Sequence, residues 1–328
     1  MKALRNINAR SLQDAVNAAQ QARSEGQSVF FSGGGTDLLQ QIKDGTVDAD
    51  VIINLRNVEG ADQVSSVAAE IVIGGLITLE QLSANATIAD SLTVLAEAAA
   101  SVATPQIRNV GTLAGNVAQR PWCWYYRNGF HCFKAGGSQC FSVVGENQQH
   151  AIFGGGPSFL VHPSDTAPAL VALNARFVVA GPNGERTLSA EEFFLRPRQN
   201  PERENSLAAD ELLAGVRIPA PSANTVSTYY KVMDRAAWTH AEVSVAAVLE
   251  LDGKQVQRAS IALGGVATIP WRLSSVEGLL AGKQITADLA REAGALAVAD
   301  AQALSKNGYK IPMTSAAVER TLLSLAPV

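Results

Sequence analysis

Cysteine is scarce in this chain, and its placement does not suit cross-linking. The three cysteines, Cys123, Cys132 and Cys140, crowd into one segment of a 328-residue sequence. An odd number with no export signal argues against a disulfide framework and leaves metal binding or plain burial. No apolar run approaches the ~20 residues that a membrane-spanning helix needs. The opening stretch, MKALRNINARSLQDAVNAAQ, lacks the apolar core of a secretory signal. The expected location is therefore cytoplasmic, or periplasmic if folded partners carry the chain out. Positive charge is short as well: the formal net charge is −4, which leaves no basic footprint for nucleic acid. Also missing are a Ser–His–Asp order, a paired-carboxylate motif and a His-Glu-x-x-His helix, so no residue stands out as catalytic.

What is present is α/β patterning. Ser11 is a candidate helix cap, followed by Leu12, Ala15, Val16, Ala19 and Ala22 at helical spacing, with Gly26 as a stop. Val29-Phe30-Phe31 reads as a short buried strand, and Thr36 to Lys43 as a helix leading to the strand Val51 to Leu55. A second block opens at Ile71-Val72-Ile73-Gly74-Gly75, with helices over Leu79 to Ala86 and Asp90 to Ser101. From about Gln119 to Gly156 periodicity fails, and a loop of that length inside a compact domain is usually functional. Pro219-Ala220-Pro221-Ser222 reads as a linker into a last domain. There, Thr228 to Met233, Val243 to Leu251 and Gln255 to Leu263 read as strands, with a hairpin at Asp252-Gly253. Helices are expected around Ser275–Leu280, Ala287–Leu304 and Ser315–Leu325.

Two glycine turns carry the candidate chemistry. Ser32-Gly33-Gly34-Gly35-Thr36-Asp37-Leu38 sits between a strand and a helix, where backbone N–H groups can receive an anion without Cβ interference. It is neither a Walker A loop nor a Rossmann fingerprint. The second turn, Arg108-Asn109-Val110-Gly111-Thr112-Leu113-Ala114-Gly115-Asn116, adds a hydroxyl and an amide. Two separated cradles suit a ligand with a pyrophosphate between bulky ends. The competing reading is two flexible turns at a domain crossing.

In this order, and followed by His162-Pro163-Ser164-Asp165, these motifs resemble the FAD-binding subunits of molybdenum hydroxylases, the xanthine dehydrogenase and carbon monoxide dehydrogenase flavoprotein family. The similarity runs nearly end to end. It implies an α+β protein: a two-subdomain α/β FAD-binding domain over 1–220, divided near 58, then an α+β C-terminal domain of sheet plus helices over 221–328. It further implies that Gly33, Gly34, Gly35, Thr36, Asp37 and Leu38 wrap the FAD pyrophosphate, with Leu38 near the isoalloxazine. Gly111, Thr112, Gly115 and Asn116 would form the second wall, with Val102 beside the flavin ring. Asp165, Leu213 and Lys231 match further flavin contacts. Lys231 reads equally well as an ordinary solvated strand lysine.

The insert over about 117–160 resembles that of the periplasmic aldehyde oxidoreductase subgroup, whose four cysteines bind a 4Fe–4S cluster. Cys123, Cys132 and Cys140 match three of those positions, and Ser158 stands at the fourth. Thiolates are the usual ligands, and a serine oxygen is a harder donor. Four arrangements stay open. Ser158 could be an oxygen ligand; His131, His150 or water could be the fourth; the cluster could have three irons; or there could be none. Trp122, Trp124, Tyr125, Tyr126 and Phe130 are expected to shield the site. The resemblance implies an electron-transfer role, with molybdopterin in a large partner, 2Fe–2S clusters in a small partner, and an external acceptor. The alternatives are a stand-alone flavin oxidoreductase and a non-enzymatic cysteine-rich metal-binding scaffold.

Overall fold

The computed structural model describes residues 2–327, and three sheets organise them. The first is parallel, in the order β1 (Arg5–Asn8), β3 (Val51–Asn54), β2 (Val29–Ser32). The helix Leu12–Ser24 crosses between β1 and β2, and the Ser11 hydroxyl caps it by accepting from the Asp14 N–H at 3.0 Å. Its buried stripe, Ala15, Val16, Ala19 and Ala22, is built of small residues, which brings the helix close to the strands. The second helix begins at Leu38, two residues later than the sequence suggests, because Thr36 and Asp37 still belong to the glycine turn. It stops at Gly45, whose φ of 73° suits a residue without Cβ.

The second sheet is antiparallel throughout. Its order is β4 (Val64–Val67), β5 (Glu70–Gly74), β8 (Leu212–Pro219), β6 (Arg176–Gly181), β7 (Gly184–Leu188). Helices Leu79–Ala84, Thr93–Ala100 and Thr166–Ala172 cover it through one core. Leu79, Leu95, Leu113, Leu170 and Phe177 are fully buried in that core. Each side chain of this size contributes roughly 1.5–3 kcal/mol on burial.

The third sheet, in the order β12 (Trp271–Arg272), β11 (Gln255–Gly264), β10 (Val243–Asp252), β9 (Thr225–Val232), is also antiparallel. Three helices back it: Ser274–Leu280, Ala287–Ala297 and Lys310–Ser324. The middle helix ends seven residues before the expected Leu304, because the chain turns to pair with the insert; the Gln302 N–H reaches the Ile152 carbonyl at 2.8 Å. The last helix starts five residues before the expected Ser315. Pro312 falls in its first turn, where a missing N–H costs nothing. Among the described residues, no helix is long and apolar enough to cross a membrane.

His162 joins the loop between β11 and β12 to the core that covers the second sheet. Its N–H donates to the Ala267 carbonyl at 2.9 Å, and its ring stands edge-on to Phe194 with centroids 5.1 Å apart. Burial pushes the imidazole down from 6.5 to about 4, so it is held neutral. The unfolded chain protonates this group below its ordinary value, whereas the folded chain resists until about pH 4. Its contribution is therefore complete above pH 6.5 and lost on descent toward pH 4, a difference of roughly 3 kcal/mol. Urea unfolding at both pH values should show His162→Asn losing less stability than the wild type by about that amount. Parallel losses in the two proteins would contradict this role for His162.

Candidate cofactor site

Two backbone turns from different subdomains press against each other beside a cavity. The first leaves β2 at Ser32, and Gly35 turns it with a φ of 73°. The second runs from Val110 into the helix Leu113–Ala118. A Cβ on Gly34 would sit 1.9 Å from the Val110 carbonyl oxygen, and one on Gly33 would sit 2.7 Å from Thr112 Oγ1. These glycines are thus required for the turns to meet, whatever lies in the cavity. The second turn is pinned in its own subdomain. The Leu79 N–H donates to Gly111 O at 2.9 Å, the Ala114 N–H donates to Gly75 O at 2.8 Å, and Thr112 Oγ1 accepts from the Gly115 N–H at 3.1 Å.

The cavity measures about 880 Å³, at the upper end of the roughly 300–1,000 Å³ typical of ligand pockets. Gly33 through Leu38 line it, as do Val102, Gly111, Thr112, Gly115, Asn116 and Asp165. A dinucleotide is the class of ligand that this space and its two glycine walls fit. Leu213 and Lys231 do not line it. Leu213 faces the core beneath the second sheet.

Lys231 is neither a solvated strand lysine nor a cavity-lining residue. It is buried, and all three of its donors are engaged: Asp165 Oδ2 at 2.8 Å, Ser101 O at 3.0 Å and Thr239 O at 3.2 Å. The Tyr229 hydroxyl donates to the other Asp165 oxygen at 2.7 Å. Burial, and then the neighbouring carboxylate, hold Tyr229 far above its ordinary range, so it stays a donor. Removing one partner of such a buried pair typically costs about 3–5 kcal/mol. Asn116 is likewise engaged, its Oδ1 accepting from Ser164 and Thr166 hydroxyls, both at 2.6 Å. Asp165 and Asn116 thus tie His162-Pro163-Ser164-Asp165 to the second turn and to β9.

The cysteine segment folds as short turns: a helix over Trp124–Arg127 and 3-10 turns at Phe133–Ala135 and Phe141–Val143. All three thiols are free. Burial pushes the Cys123 thiol up to about 11. Cys123 Sγ lies 3.4 Å from His150 Nε2, and Cys140 Sγ lies 3.1 Å from Ser142 Oγ. Burial lowers His150 to about 4, leaving it neutral. Ser158 is buried, while His131 is exposed. Among the described residues, no three His, Cys, Asp or Glu side chains converge on a single metal ion.

The aromatic residues of the segment do not form the expected shield. Trp122, Trp124 and Phe130 are exposed by 43%, 58% and 42%. Tyr125, Phe130 and Phe141 pack on one another instead, and Trp122 lies under the Arg127 guanidinium. Ordinary contacts hold the segment in place. Lys134 and Arg120 both pair with the buried Glu204. Asn147 donates to Ser305 Oγ at 3.0 Å and accepts from the Lys306 N–H at 2.8 Å. Arg127 and Glu204 escaped the sequence reading, since nothing in the spacing of a lone charge names its partner.

Comparisons with known proteins agree with this geometry. Residues 2–221 match the family described as the FAD binding domain in molybdopterin dehydrogenase, and residues 228–325 match the CO dehydrogenase flavoprotein C-terminal domain. The chain is 33% identical over 277 residues to the aldehyde oxidoreductase FAD-binding subunit PaoB of Escherichia coli K12, covering 81% of this chain and 85% of that one. It is 27% identical over 302 residues to the carbon monoxide dehydrogenase medium chain of Hydrogenophaga pseudoflava, covering 90% and 89% respectively. A solved carbon monoxide dehydrogenase structure from that organism superposes with a TM-score of 0.76 at 25% identity, over 98% of this chain and 96% of the other. Quinoline 2-oxidoreductase from Pseudomonas putida 86 shares the fold, with a TM-score of 0.74 at 22% identity over 99% and 98% of the two chains. With both family matches laid over the two turns and the third sheet, the chain belongs to the FAD-binding family of molybdopterin dehydrogenases.

Proposed function

We propose that this chain is the FAD-binding, electron-transferring subunit of a molybdenum hydroxylase that oxidises an aldehyde or a heteroaromatic ring. The observation that carries this reading is the cavity formed where the two glycine turns meet, within the span that matches the FAD-binding family. The first turn would receive the pyrophosphate on the N–H groups around Gly33–Gly35. The second would face it across the cavity through Thr112 and Gly115, while Val102 offers an apolar surface to the flavin ring. When bound, FAD supplies redox chemistry that joins one-electron donors to a two-electron acceptor. The protein's own part is positional. Asn116 and Asp165 hold the far wall, and the Asp165–Lys231 pair keeps a buried carboxylate neutralised beside the ligand.

The relatives' names support the rest of the assignment: an aldehyde oxidoreductase FAD-binding subunit, and a medium chain of carbon monoxide dehydrogenase. On that basis this chain works beside a large molybdopterin subunit and a small 2Fe–2S subunit, and an external acceptor takes the electrons. Loaded with FAD but separated from its partners, it should not oxidise aromatic aldehydes, while the assembled complex should. Substantial turnover by the isolated chain would favour a stand-alone flavin oxidoreductase instead.

The insert is included in the proposal as an iron–sulfur site held by Cys123, Cys132 and Cys140. Supporting it are three free thiols in one segment and the preference of such clusters for thiolate ligands. A fourth ligand would come from Ser158 or His150, both buried, and His150 Nε2 already lies 3.4 Å from Cys123 Sγ. Iron and sulfide analysis of chain purified without air, free of its 2Fe–2S partner, should find both. Full FAD with near-zero iron would mean that the insert stands on its ordinary contacts alone.

A further inference from the structure

The first limb of the insert is built onto the first glycine turn, chiefly through the Asp37 carboxylate; Arg127 Nη1 also lies 3.9 Å from Asp44 Oδ2 at the end of the next helix. Asp37 follows Thr36 at the start of the helix Leu38–Asp44, a position where an aspartate ordinarily caps the helix. It makes no cap. Its Oδ1 accepts from Arg127 Nη2 at 2.6 Å, and its Oδ2 accepts from the Arg120 N–H at 2.9 Å and from Gln41 Nε2 at 2.8 Å. The Arg127 side chain is only 5% exposed. It also donates to the carbonyls of Pro121 and Arg120, each at 3.0 Å, and its guanidinium lies 4.5 Å from the centre of the Trp122 ring. Among the described residues, no other cation forms an ion pair with Asp37.

An acidic residue in a phosphate-receiving turn is a liability, since a carboxylate and a pyrophosphate repel each other in a partly buried site. Asp37 lines the same cavity as the turn, so its charge must be met by a fixed cation, and the insert supplies that cation from 90 residues away in sequence. We propose that Arg127 is a positioning residue for FAD: it neutralises Asp37 and fixes the first glycine turn, which makes the insert a clasp on the FAD cradle whatever its thiols hold. This inference rests on the proposed placement of the pyrophosphate at Gly33–Gly35.

The test is titration of FAD into three flavin-free chains, followed by quenching of flavin fluorescence: wild type, Arg127→Met, and the double variant Asp37→Asn with Arg127→Met. Removing one member of a partly buried, hydrogen-bonded charge pair should weaken FAD binding at least about tenfold in Arg127→Met. Removing both charges should return affinity to within about threefold of wild type, a rescue that a purely structural arginine would not allow. Wild-type affinity in Arg127→Met overturns the proposal, as does equal weakening in the single and double variants. If Arg127→Met does not fold, the double variant decides. Folded and binding FAD, it supports the pairing; unfolded, or weakened tenfold, it overturns it. A wild-type chain that ignores FAD would instead refute the placement of the ligand, a separate failure.

Discussion

The Gly34 backbone and the Val110 carbonyl lie so close that a single added carbon would sit 1.9 Å from the oxygen. That approach brings the turn after β2 of the parallel sheet against the turn between the helices Pro105–Arg108 and Leu113–Ala118, and the cavity opens beside it. Other features serve the same contact. Gly75 lets the second turn settle on β8, where a Cβ would meet the Leu213 carbonyl at 2.6 Å. Thr112 closes the start of the helix Leu113–Ala118, so that its N–H groups stay ordered beside the cavity. Side-chain packing alone does not bring backbones this near.

Charge is arranged on the same plan. Several buried or half-buried carboxylates lie around or behind the cavity, and each is matched by a cation from a distant part of the chain: half-buried Asp37 by Arg127, Asp165 by Lys231, Glu204 by Lys134 and Arg120, and Glu242 by Lys310. A buried pair adds little net stability against an apolar substitute, but breaking one is costly. Such pairs therefore fix which segments meet rather than how strongly the whole is held. They join the insert to the first turn, β9 to the His162–Asp165 turn, and the last helix to β10. An anionic ligand can enter among these carboxylates because each is already neutralised.

Much of this was legible in the sequence, and the exceptions have physical causes. The helix after Ser11 and strands β2, β3 and β5 announce themselves by cap and period. The glycine turns were visible because only glycine suits that backbone. Strand β4, Val64–Val67, was missed because it is an edge strand, largely exposed and without a buried face to show. Pairing direction in the second sheet was hidden too, since β5 pairs with β8 across more than a hundred residues. The burial of Lys231 is not legible, because spacing cannot reveal that its three donors are already taken. Arg127 was hidden for the same reason: its partner Asp37 lies in another motif.

The central claim is that the two turns grip the pyrophosphate of a dinucleotide. Titration of the flavin-free chain with FAD and with FMN tests it most directly, because FMN has the same ring but lacks the pyrophosphate bridge and adenosine. The account predicts one FAD per chain and far weaker binding of FMN. Equal affinity for the two would mean that the glycine turns hold no pyrophosphate.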